Sequence, residues 1–337
     1  MSARDTSGPE ESGPLAMNGL RDRLAAGDTL FGTFLGLGSA LATEACAVAG
    51  FDWLLVDLEH GGGDERALLH QQLAGEARRI PVLARVESAE RIRTGRLLDA
   101  GVAGVMFPRL DSVGDVRAAV RHLRYPPEGD RGVATYNRVY DFGLRPDRLD
   151  TANDGVVGIV QIESRSALTA TAEIATVPGV DVLFVGPRDL STDLGCPGRF
   201  DAPEFLAALD QVLAAAKDAG IAAGILAGDQ LQALAYTALG FRFVGVGSDA
   251  SLLARAASDA VRHLRGDPET SDGPKTSDGP ETNDGPKTND VPKTSGVPKT
   301  SGVPKTSGGP ETIDVPETSG GPETRGGPEG NRTALAR

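Results

Sequence analysis

The stretch that decides the fold covers residues 81–107 and has the sequence PVLARVESAERIRTGRLLDAGVAGVMF. It begins and ends with short apolar runs that contain β-branched residues, at 81–86 and 104–107. Between these runs, residues 89–100 carry apolar side chains at helical spacing. Short apolar runs bounded by turn residues predict buried strands, and the longer periodic segment predicts a helix. The stretch therefore predicts a strand–helix–strand unit.

The same alternation continues on both sides of this unit. Strands are predicted at 30–35, 53–56, 81–86, 104–107, 156–162, 182–185, 222–226 and 241–246. Helices are predicted at 40–49, 64–78, 89–100, 113–123, 166–176, 202–219, 229–239 and 249–264. Asp64, Ser112 and Asp201 precede three helices as expected N-caps, and Gly220 and Gly240 follow two others as expected stop residues. Eight strands, each followed by a helix, predict an α/β fold of the (β/α)8 TIM-barrel type.

A doubly wound open sheet is the alternative to the barrel. It is disfavoured because no Gly-x-Gly-x-x-Gly segment opens a helix after the first strand. We place the barrel at residues 28–265, after a polar N-terminal leader at 1–27. The longest irregular stretch covers residues 125–154, and loops of that length in a compact domain are usually functional or disordered.

Residues 266–337 have a different composition, with a proline at every sixth position from Pro268 to Pro328. The repeating hexads, such as SDGPKT and SGGPET, contain almost no large apolar residue. Such a segment cannot bury enough surface to offset the entropy lost on ordering. Glycine does not occupy every third position, which excludes a collagen helix. We predict a disordered C-terminal repeat tail.

Composition excludes several classes of protein. Acidic residues outnumber basic ones on both sides of Arg265, and the formal net charge of −13 speaks against a nucleic-acid partner. No run of 18 apolar residues occurs, so no membrane association is expected, and the first 17 residues lack the apolar segment of a secretory signal. Two cysteines, Cys46 and Cys196, form neither a disulfide framework nor a metal-binding pair. We expect a cytoplasmic protein.

Polar side chains collect at the predicted carboxyl ends of four strands. His60 follows the second strand, and Arg85 ends the third. Gln161 and Glu163 end the fifth strand with the same parity, and Asp189 follows the sixth. In a (β/α)8 barrel these strand ends form the rim on which active sites are built. The pattern predicts one shared site.

Each of these residues also has an ordinary explanation when it is taken alone. His60 fits a solvated loop, and Arg85 fits an exposed strand-end charge that pairs with Glu87. Glu163 fits a helix cap, and Asp189 fits a turn acid. We favour a shared site because the residues coincide on one rim, where buried charges are costly unless they are paired or bound to a ligand.

The residue types point to one kind of chemistry. Glu163 and Asp189, on adjacent strands, suit a hard cation such as Mg²⁺ or Mn²⁺. Arg85 supplies a fixed fork for a carboxylate or an enolate oxygen, and His60 can move a proton at neutral pH. Gly186 and Pro187, ahead of a helix start, leave backbone N–H groups for a substrate carboxylate. Metal, oxyanion donor and base together indicate enolate formation next to a carbonyl.

The core resembles the HpcH/HpaI aldolases, which are metal-dependent class II pyruvate aldolases. The resemblance covers about residues 31–264. It rests on GFDW at 50–53, DLEH at 57–60, PVLARV at 81–86, RYPP at 124–127 with RG at 131–132, QIES at 161–164, VGPRDLS at 185–191 and LGCPG at 194–198. Any one of these motifs is weak, and all of them in order are a strong signal.

The resemblance implies a TIM barrel of the phosphoenolpyruvate/pyruvate-binding type with a divalent metal (Mg²⁺, Mn²⁺ or Co²⁺). In that family the metal is held by the residues that match Glu163 and Asp189, and pyruvate chelates it. Arg85 would stabilise the enolate oxygen, and His60 would be the base. The residues that would bind the substrate are Gln161, Gly186, Pro187 and Arg85. Asp99 matches a carboxylate that approaches the histidine of a neighbouring subunit, in a homo-oligomer that is commonly a hexamer.

The function implied is reversible cleavage of a 4-hydroxy-2-oxo acid to pyruvate, or a related 2-oxo acid, and an aldehyde. Two alternatives remain: a citrate-lyase-like acyl-CoA lyase with Arg138, Arg145 and Arg148 near the CoA, and a barrel scaffold with a binding tail. The chain departs from the family at residues 36–40, which lack the usual proline, and in the aromatic loop 135–140. It also has Arg188 where the family has a small or neutral residue.

Overall fold

A computed structural model of the chain describes residues 19–266, which form a closed barrel of eight parallel strands. The strands are β1 (Leu30–Leu35), β2 (Trp53–Asp57), β3 (Val82–Arg85), β4 (Gly104–Phe107), β5 (Val157–Ile162), β6 (Val182–Val185), β7 (Ala222–Ala227) and β8 (Phe243–Ser248). They are neighbours in chain order, and β1 also pairs with β8. The predicted barrel is confirmed, and the open sheet is excluded because the ring closes.

Helices within the described residues follow the strands around the outside of the barrel. They are α1 (Gly19–Ala25), α2 (Ala40–Val48), α3 (Glu65–Ala77), α4 (Arg91–Ala100), α5 (Val113–Arg121), α6 (Arg165–Thr169), α7 (Thr171–Ala175), α8 (Pro187–Asp193), α9 (Pro203–Ala219), α10 (Gln230–Leu239) and α11 (Asp249–Arg265). Apart from Gly266, the tail predicted to be disordered lies outside the described residues. None of these helices is both long and apolar enough to cross a membrane.

Strand side chains alternate between the inside of the barrel and the layer beneath the helices. Trp53 and Leu55 of β2 join the cluster inside the barrel, whereas Leu54 and Val56 pack in the outer cluster. This alternation is the period of two that a β-strand imposes. Asp57, at the end of β2, therefore continues the inward-facing set at the carboxyl end of the barrel.

The inside of the barrel is filled by aromatic side chains. The rings of Trp53 and Phe243 stack with their centroids 4.1 Å apart and a 9° angle between their planes. A Cβ placed on Gly32 would lie 2.0 Å from the Trp53 ring, so only glycine leaves room for the indole at this point. The filled interior leaves the two ends of the barrel as places where a ligand can bind.

Helix α1 covers the amino-terminal end of the barrel. Its Leu20 and Leu24 are buried in the cluster that fills the interior. Arg21 donates from Nε to Asp181 Oδ1 at 2.9 Å. This helix falls within the residues assigned to a polar leader, where seven helical residues are too few for a periodic signal. Closure of this end leaves the carboxyl end as the open mouth.

Three predicted details of the elements differ from the structure. Asp201 is not an N-cap, because α9 begins at Pro203, which lacks an N–H, and the cap residue is Ala202. The helix predicted at 166–176 is two short helices that are broken at Ala170. Strand β8 lies two residues further along than predicted, because Phe241 donates its N–H to the Tyr236 carbonyl after α10. The other predicted caps, including Gly220 and Gly240 in the left-handed conformation, are confirmed.

The long segment at 125–154 is folded onto the barrel. It contains two 3₁₀ segments, Arg138–Gly143 and Pro146–Thr151. Tyr125, Val139 and Tyr140 form a small apolar cluster of their own with Ala152. The Tyr140 hydroxyl donates to the Tyr125 hydroxyl at 2.8 Å, and burial raises the pKa of both. Of the two options for a loop of this length, the structure therefore excludes disorder.

Candidate active site

The mouth of the barrel is organised around a paired aspartate and arginine. Asp57 of β2 lies opposite Arg85 of β3 in the strand register. Arg85 donates from Nε to Asp57 Oδ1 at 2.9 Å and from Nη2 to Oδ2 at 2.7 Å, a bidentate pair. Burial opposes the charge on Asp57, but the Arg85 hydrogen bonds and the N–H groups of His60 and Glu59 outweigh it and lower the pKa of Asp57. Arg85 is therefore held in one orientation.

The remaining end of the Arg85 guanidinium faces two further acceptors. Its Nη1 lies 3.1 Å from Glu59 Oε2 and 3.5 Å from Gln161 Oε1. The guanidinium carbon sits 5.2 Å from the centre of the Phe34 ring, which forms its floor. Pairing of Arg85 with Glu87 does not occur, because Glu87 binds Arg93 at 3.1 Å. Arg85 is therefore part of the site rather than an exposed strand-end charge.

Glu163 is a buried carboxylate beside this network. Gln161 donates from Nε2 to Glu163 Oε2 at 3.0 Å, and the Arg109 N–H donates to Oε1 at 2.7 Å. Burial raises the pKa of Glu163; the Arg109 N–H opposes the shift, and the charges of Asp189 and Glu59 add to it. The cap of α6 is Ser164, so Glu163 is not the helix cap that it resembles in the sequence. The nearby Arg85 charge offsets the shift only in part, and a carboxylate in this setting suits a bound cation.

The sequence did not predict that the backbone N–H of Arg109 belongs to the site. It follows Pro108 directly after β4 and has a φ of 51°, in the left-handed region that glycine favours. Such a conformation costs about 1–3 kcal/mol and is retained where the surroundings require it. Here it directs the Arg109 N–H to Glu163. The only sequence signal was a Pro-Arg pair at a strand end, which does not reveal a backbone donor.

The segment after β6 approaches Glu163 closely. A Cβ added to Gly186 would lie 2.7 Å from Glu163 Oε2, so this glycine keeps the space beside the carboxylate open. Pro187 begins α8, as the sequence predicted. Asp189, in the first turn of α8, is exposed and makes no hydrogen bond or ion pair within residues 19–266. Ser191 donates to the Arg188 carbonyl instead of Asp189, which leaves Asp189 available.

His60 lies on the loop after β2, at the edge of the network. Its ring is 69% exposed, and its Nε2 is 3.6 Å from Glu59 Oε2. The His60 backbone N–H donates to Asp57 Oδ1 at 3.2 Å, so the loop is fixed by the same carboxylate that fixes Arg85. His60 thus stands beside the site with a solvent-accessible ring.

Asp99 is the predicted site residue that the structure places elsewhere. It lies on α4 and accepts a hydrogen bond from Arg131 Nη2 at 2.7 Å. Arg131 is buried and lies 4.4 Å from the centre of the Tyr125 ring. Among the described contacts, Asp99 has none with His60 or with the Glu163 network. The approach of Asp99 to the histidine of a neighbouring subunit, which the family resemblance implies, stays a prediction.

Asp249 is a further buried carboxylate that the sequence did not single out. It starts α11, and its Oδ1 accepts the Gly36 N–H at 2.8 Å, while its Oδ2 accepts the Leu37 N–H at 3.3 Å. The Gly36 carbonyl in turn accepts the Gly62 N–H at 2.8 Å. These bonds join the loops after β1, β2 and β8. The loop after β1 is thus a turn anchored by a carboxylate.

Whether the residues present fit a divalent metal can be judged from the mouth itself. Within residues 19–266 no group of three or more His, Cys, Asp or Glu side chains is arranged to hold one ion. Glu163 and Asp189 are two oxygen donors whose charges repel each other, and Gly186 leaves space beside them. Two carboxylates suit a hard ion that takes its other ligands from water or substrate. The donor set fits such an ion.

The chain belongs to the HpcH/HpaI aldolase/citrate lyase family, whose model matches residues 30–256. The hydroxypyruvate/pyruvate aldolase of Paraburkholderia phytofirmans is 42% identical over 254 residues, which cover 74% of this chain and 98% of that protein. The 4-hydroxy-2-oxo-heptane-1,7-dioate aldolase of Escherichia coli is 39% identical over 241 residues, which cover 71% and 92%.

A solved structure supports the same assignment. The crystal structure of an HpcH/HpaI aldolase/citrate lyase family protein from Burkholderia cenocepacia J2315 matches with a TM-score of 0.71 and 43% identity. The match covers 74% of this chain and 99% of that one. The family predicted from the motifs is therefore confirmed.

Proposed function

We propose that this chain is a metal-dependent aldolase that reversibly cleaves a 4-hydroxy-2-oxo acid to pyruvate, or a related 2-oxo acid, and an aldehyde. The observation that carries the proposal is the continuous network from Asp57 through Arg85 and Gln161 to Glu163, with Asp189 beside it. It places the Arg85 guanidinium, whose Nη1 faces Glu59 and Gln161, next to two carboxylates that could hold a cation. Relatives named as aldolases, about 40% identical over most of the barrel, support this reaction class.

Glu163 and Asp189 would hold the divalent metal, with Mg²⁺, Mn²⁺ and Co²⁺ as candidates. When bound, the metal supplies a Lewis acid that draws electron density from the 2-oxo acid. Gln161 keeps one Glu163 oxygen in place, and the Arg109 N–H keeps the other. The chain thus presents a carboxylate whose orientation is fixed before the ligand arrives.

Arg85 would bind the substrate oxygen that becomes negative during cleavage. Because Asp57 holds its Nε and Nη2, the guanidinium meets that oxygen without reorienting. Gly186 and Pro187 start α8 next to Glu163, so the N–H groups that follow in the first turn would be available to a substrate carboxylate. These groups orient the 2-oxo acid in the mouth.

His60 would act as the base, directly or through a water molecule. Its exposed ring accepts a proton at a nitrogen, and the Glu59 carboxylate 3.6 Å away stabilises the positive charge that results. In cleavage the proton would come from the 4-hydroxyl as the C3–C4 bond breaks and would end on C3 of pyruvate; in synthesis it would come from the pyruvate methyl group and end on the new hydroxyl. An imidazole nitrogen can both accept and donate a proton, which both directions of the reaction require.

Neither alternative function is favoured by the contacts. The arginines that would bind CoA phosphates already pair with acids: Arg138 with Glu76 at 2.7 Å, Arg145 with Asp147 at 2.9 Å and Arg148 with Asp141 at 3.0 Å. A basic groove for CoA therefore does not form there. A scaffold without catalysis has no use for the buried Glu163, because burial of its carboxylate costs free energy.

We further propose a homo-oligomer, with a hexamer as the expected form, in which Asp99 approaches His60 of a neighbouring subunit. Helix α11 supports this assembly, since Leu253 is 64% exposed and Leu264 is 85% exposed along it. Within the described residues both cysteines are free, in accord with the cytoplasmic, reducing location that we propose.

The experiment that tests the function is a pyruvate-release screen. Purified protein is stripped of metal, supplied with Mg²⁺, Mn²⁺ or Co²⁺, and given 4-hydroxy-2-oxo acids of different length and charge. We expect metal-dependent pyruvate release from at least one of them, with CoA esters neither cleaved nor inhibitory. Absence of release from the whole set with every metal would contradict the proposal.

A further inference from the structure

One guanidinium at the mouth has no use in the mechanism above. Arg188 stands between Pro187 and Asp189 in the first turn of α8. Its backbone is fixed, because its carbonyl accepts the Ser191 hydroxyl at 3.0 Å and the Thr192 hydroxyl at 2.8 Å. Its side chain is exposed and makes no ion pair with any acid of residues 19–266. A cation next to the proposed metal ligands is therefore unpaired.

Two other arginines near this mouth are already bound. Arg85 is paired with Asp57 and Glu59, and Arg165 donates from Nε to the Asp193 carbonyl at 2.7 Å. Arg109, on the other side of Glu163, has an exposed side chain without a hydrogen bond or ion pair among the described residues. Two unpaired guanidiniums thus flank the proposed metal position, one after β4 and one after β6.

The Arg188 side chain is partly preorganised. Its guanidinium carbon lies 5.9 Å from the centre of the Phe200 ring, and its Nη1 is 3.3 Å from the point that a Cβ on Gly198 would occupy. An aromatic face orients a guanidinium while leaving its donors free. A planar fork of this kind binds a carboxylate or a phosphate through two parallel hydrogen bonds.

The opposite side of the mouth carries acids. Asp57, Glu59 and Asp249 follow or end β2 and β8, and Asp57 and Glu59 are bound to Arg85. An extended substrate anchored at Glu163, Asp189 and Arg85 has Arg109 after β4 and Arg188 after β6 on the side away from these acids. An anionic group at its far end is attracted to that side and repelled from the other.

We propose that Arg188 is a specificity-determining residue that selects aldehydes carrying a second, anionic group, either a carboxylate or a phosphate. The inference rests on the proposed aldolase function and adds the residue that recognises the aldehyde. Arg109, which follows β4, adds a second positive charge on the same side of the mouth. Arg188 has no part in enolate formation, so its removal leaves turnover of uncharged aldehydes intact.

The test compares charged and uncharged aldehydes as acceptors for pyruvate in the metal-loaded full chain. Glyoxylate and succinic semialdehyde represent carboxylates, glyceraldehyde 3-phosphate represents phosphates, and glycolaldehyde and glyceraldehyde are the uncharged controls. The variants are Arg188→Gln and Arg188→Lys. Arg117→Gln is the matched control, because Arg117 is exposed on α5 and is also unpaired within residues 19–266.

For Arg188→Gln we expect kcat/KM to fall at least tenfold with one class of anionic aldehyde, mainly through KM, and to change less than twofold with the uncharged ones. Whichever of the two anionic classes, carboxylate or phosphate aldehydes, shows the larger fall in kcat/KM identifies the anion that Arg188 binds. Arg188→Lys recovers part of the loss, and Arg117→Gln changes neither class. The wild-type preference weakens as salt rises from 0.1 to 1 M, since the screening length falls from about 10 Å to about 3 Å.

Two results would overturn the proposal: an unchanged ratio of charged to uncharged kcat/KM, or an equal loss for both classes together with a lower melting temperature. The second result would make Arg188 a structural partner of Phe200. Failure of the wild-type chain to convert any of the tested aldehydes is a different result, because it contradicts the aldolase function itself.

Discussion

Arg85 is usable as an anion-binding group only because Asp57 holds it. Without the carboxylate, the long side chain would sample several rotamers above Phe34. The Asp57 oxygens also fix the N–H groups of Glu59 and His60. One residue therefore positions both the oxyanion donor and the loop of the proposed base.

Asp57→Asn tests this positioning role. Asparagine keeps one acceptor but loses the charge and the second oxygen, so the bidentate geometry is lost. We expect kcat/KM for aldol cleavage to fall about 10²-fold, the scale of a misplacement of about 1 Å in a catalytic group. Steady-state kinetics measure the change, and Asp210→Asn on the exposed face of α9 is the control. Equal kinetics for both variants would show that Arg85 does not depend on Asp57.

Glu163 makes the stability of the metal-free protein depend on pH. Burial raises its pKa in the folded chain above the ordinary value near 4.3, so the folded state holds the proton more tightly than the unfolded state. Its contribution to stability is therefore fully present below about pH 4.3 and is lost as the pH rises through the higher folded value.

Glu163→Gln removes this contribution together with the metal ligand. In chelator, we expect the wild-type melting temperature to fall more steeply than that of Glu163→Gln as the pH rises from 4 to 7. Metal at 100 times its Kd stabilises the wild type by about 2.7 kcal/mol and leaves Glu163→Gln unchanged. Thermal melts with and without Mn²⁺ measure both effects. Parallel pH curves and equal metal shifts would remove Glu163 from the site.

At the scale of single residues, strand parity carried most of the sequence prediction. Gln161 and Glu163 alternate along the end of β5 so that both side chains face the inside of the barrel, and Arg85 does the same on β3. The contacts among these three side chains therefore followed from the two-residue alternation of each strand. The Arg109 N–H did not follow, because a left-handed backbone conformation at a non-glycine residue has no sequence signature. Asp57 was visible as a strand-end acid, but its pairing with Arg85 depends on strand register.

Among the elements, the start of α8 decides whether a ligand fits beside Glu163. Gly186 is the residue at which backbone and carboxylate come closest. Larger side chains there would push Glu163 away from the Arg109 N–H. The short helix thus brings Asp189 to the site while keeping the space between the two carboxylates clear.

Gly186→Ala tests this arrangement. The added methyl group would lie 2.7 Å from Glu163 Oε2 and 3.0 Å from its Cβ, so the side chain must move. We expect metal affinity to fall at least tenfold, measured by calorimetry with Mn²⁺. Gly95→Ala on α4 is the control, because nothing lies within 4 Å of its added Cβ. Unchanged affinity in Gly186→Ala would contradict the close approach.

Element boundaries were predictable where one local signal dominates. Asp64, Ser112 and the stop glycines fixed helix ends, because caps act within one turn. Helix α1 was not predicted, since its stability comes from burying Leu20 and Leu24 at the end of the barrel. Tertiary packing of this kind leaves almost no trace in a seven-residue segment.

On the scale of the whole molecule, the barrel accounts for the family's shared chemistry. The relatives from Paraburkholderia and Burkholderia match over 98% and 99% of their lengths while covering 74% of this chain. The residues that hold the site all lie between Phe34 and Asp249. The predicted repeat tail lies outside the described residues apart from Gly266.

Truncation after Gly266 tests whether the barrel is active without the repeat tail. We expect the shortened chain to keep kcat and KM within twofold of the full chain, because Asp249 and the rest of α11 are retained. Kinetics and the melting temperature of both proteins measure the effect, with equal metal loading as the control. A loss of turnover at unchanged melting temperature would show that the tail takes part in catalysis.

Glu163, Asp189 and Arg85 are proposed to hold the metal and pyruvate so that His60 can remove a methyl proton. Exchange of the pyruvate methyl protons in D₂O, followed by NMR without any aldehyde, measures this step alone. We predict exchange that requires added Mg²⁺, Mn²⁺ or Co²⁺ and is lost in Glu163→Gln, with Asp210→Asn unaffected. Absence of exchange with all three metals, or the same rate in Glu163→Gln as in the wild type, would contradict the account.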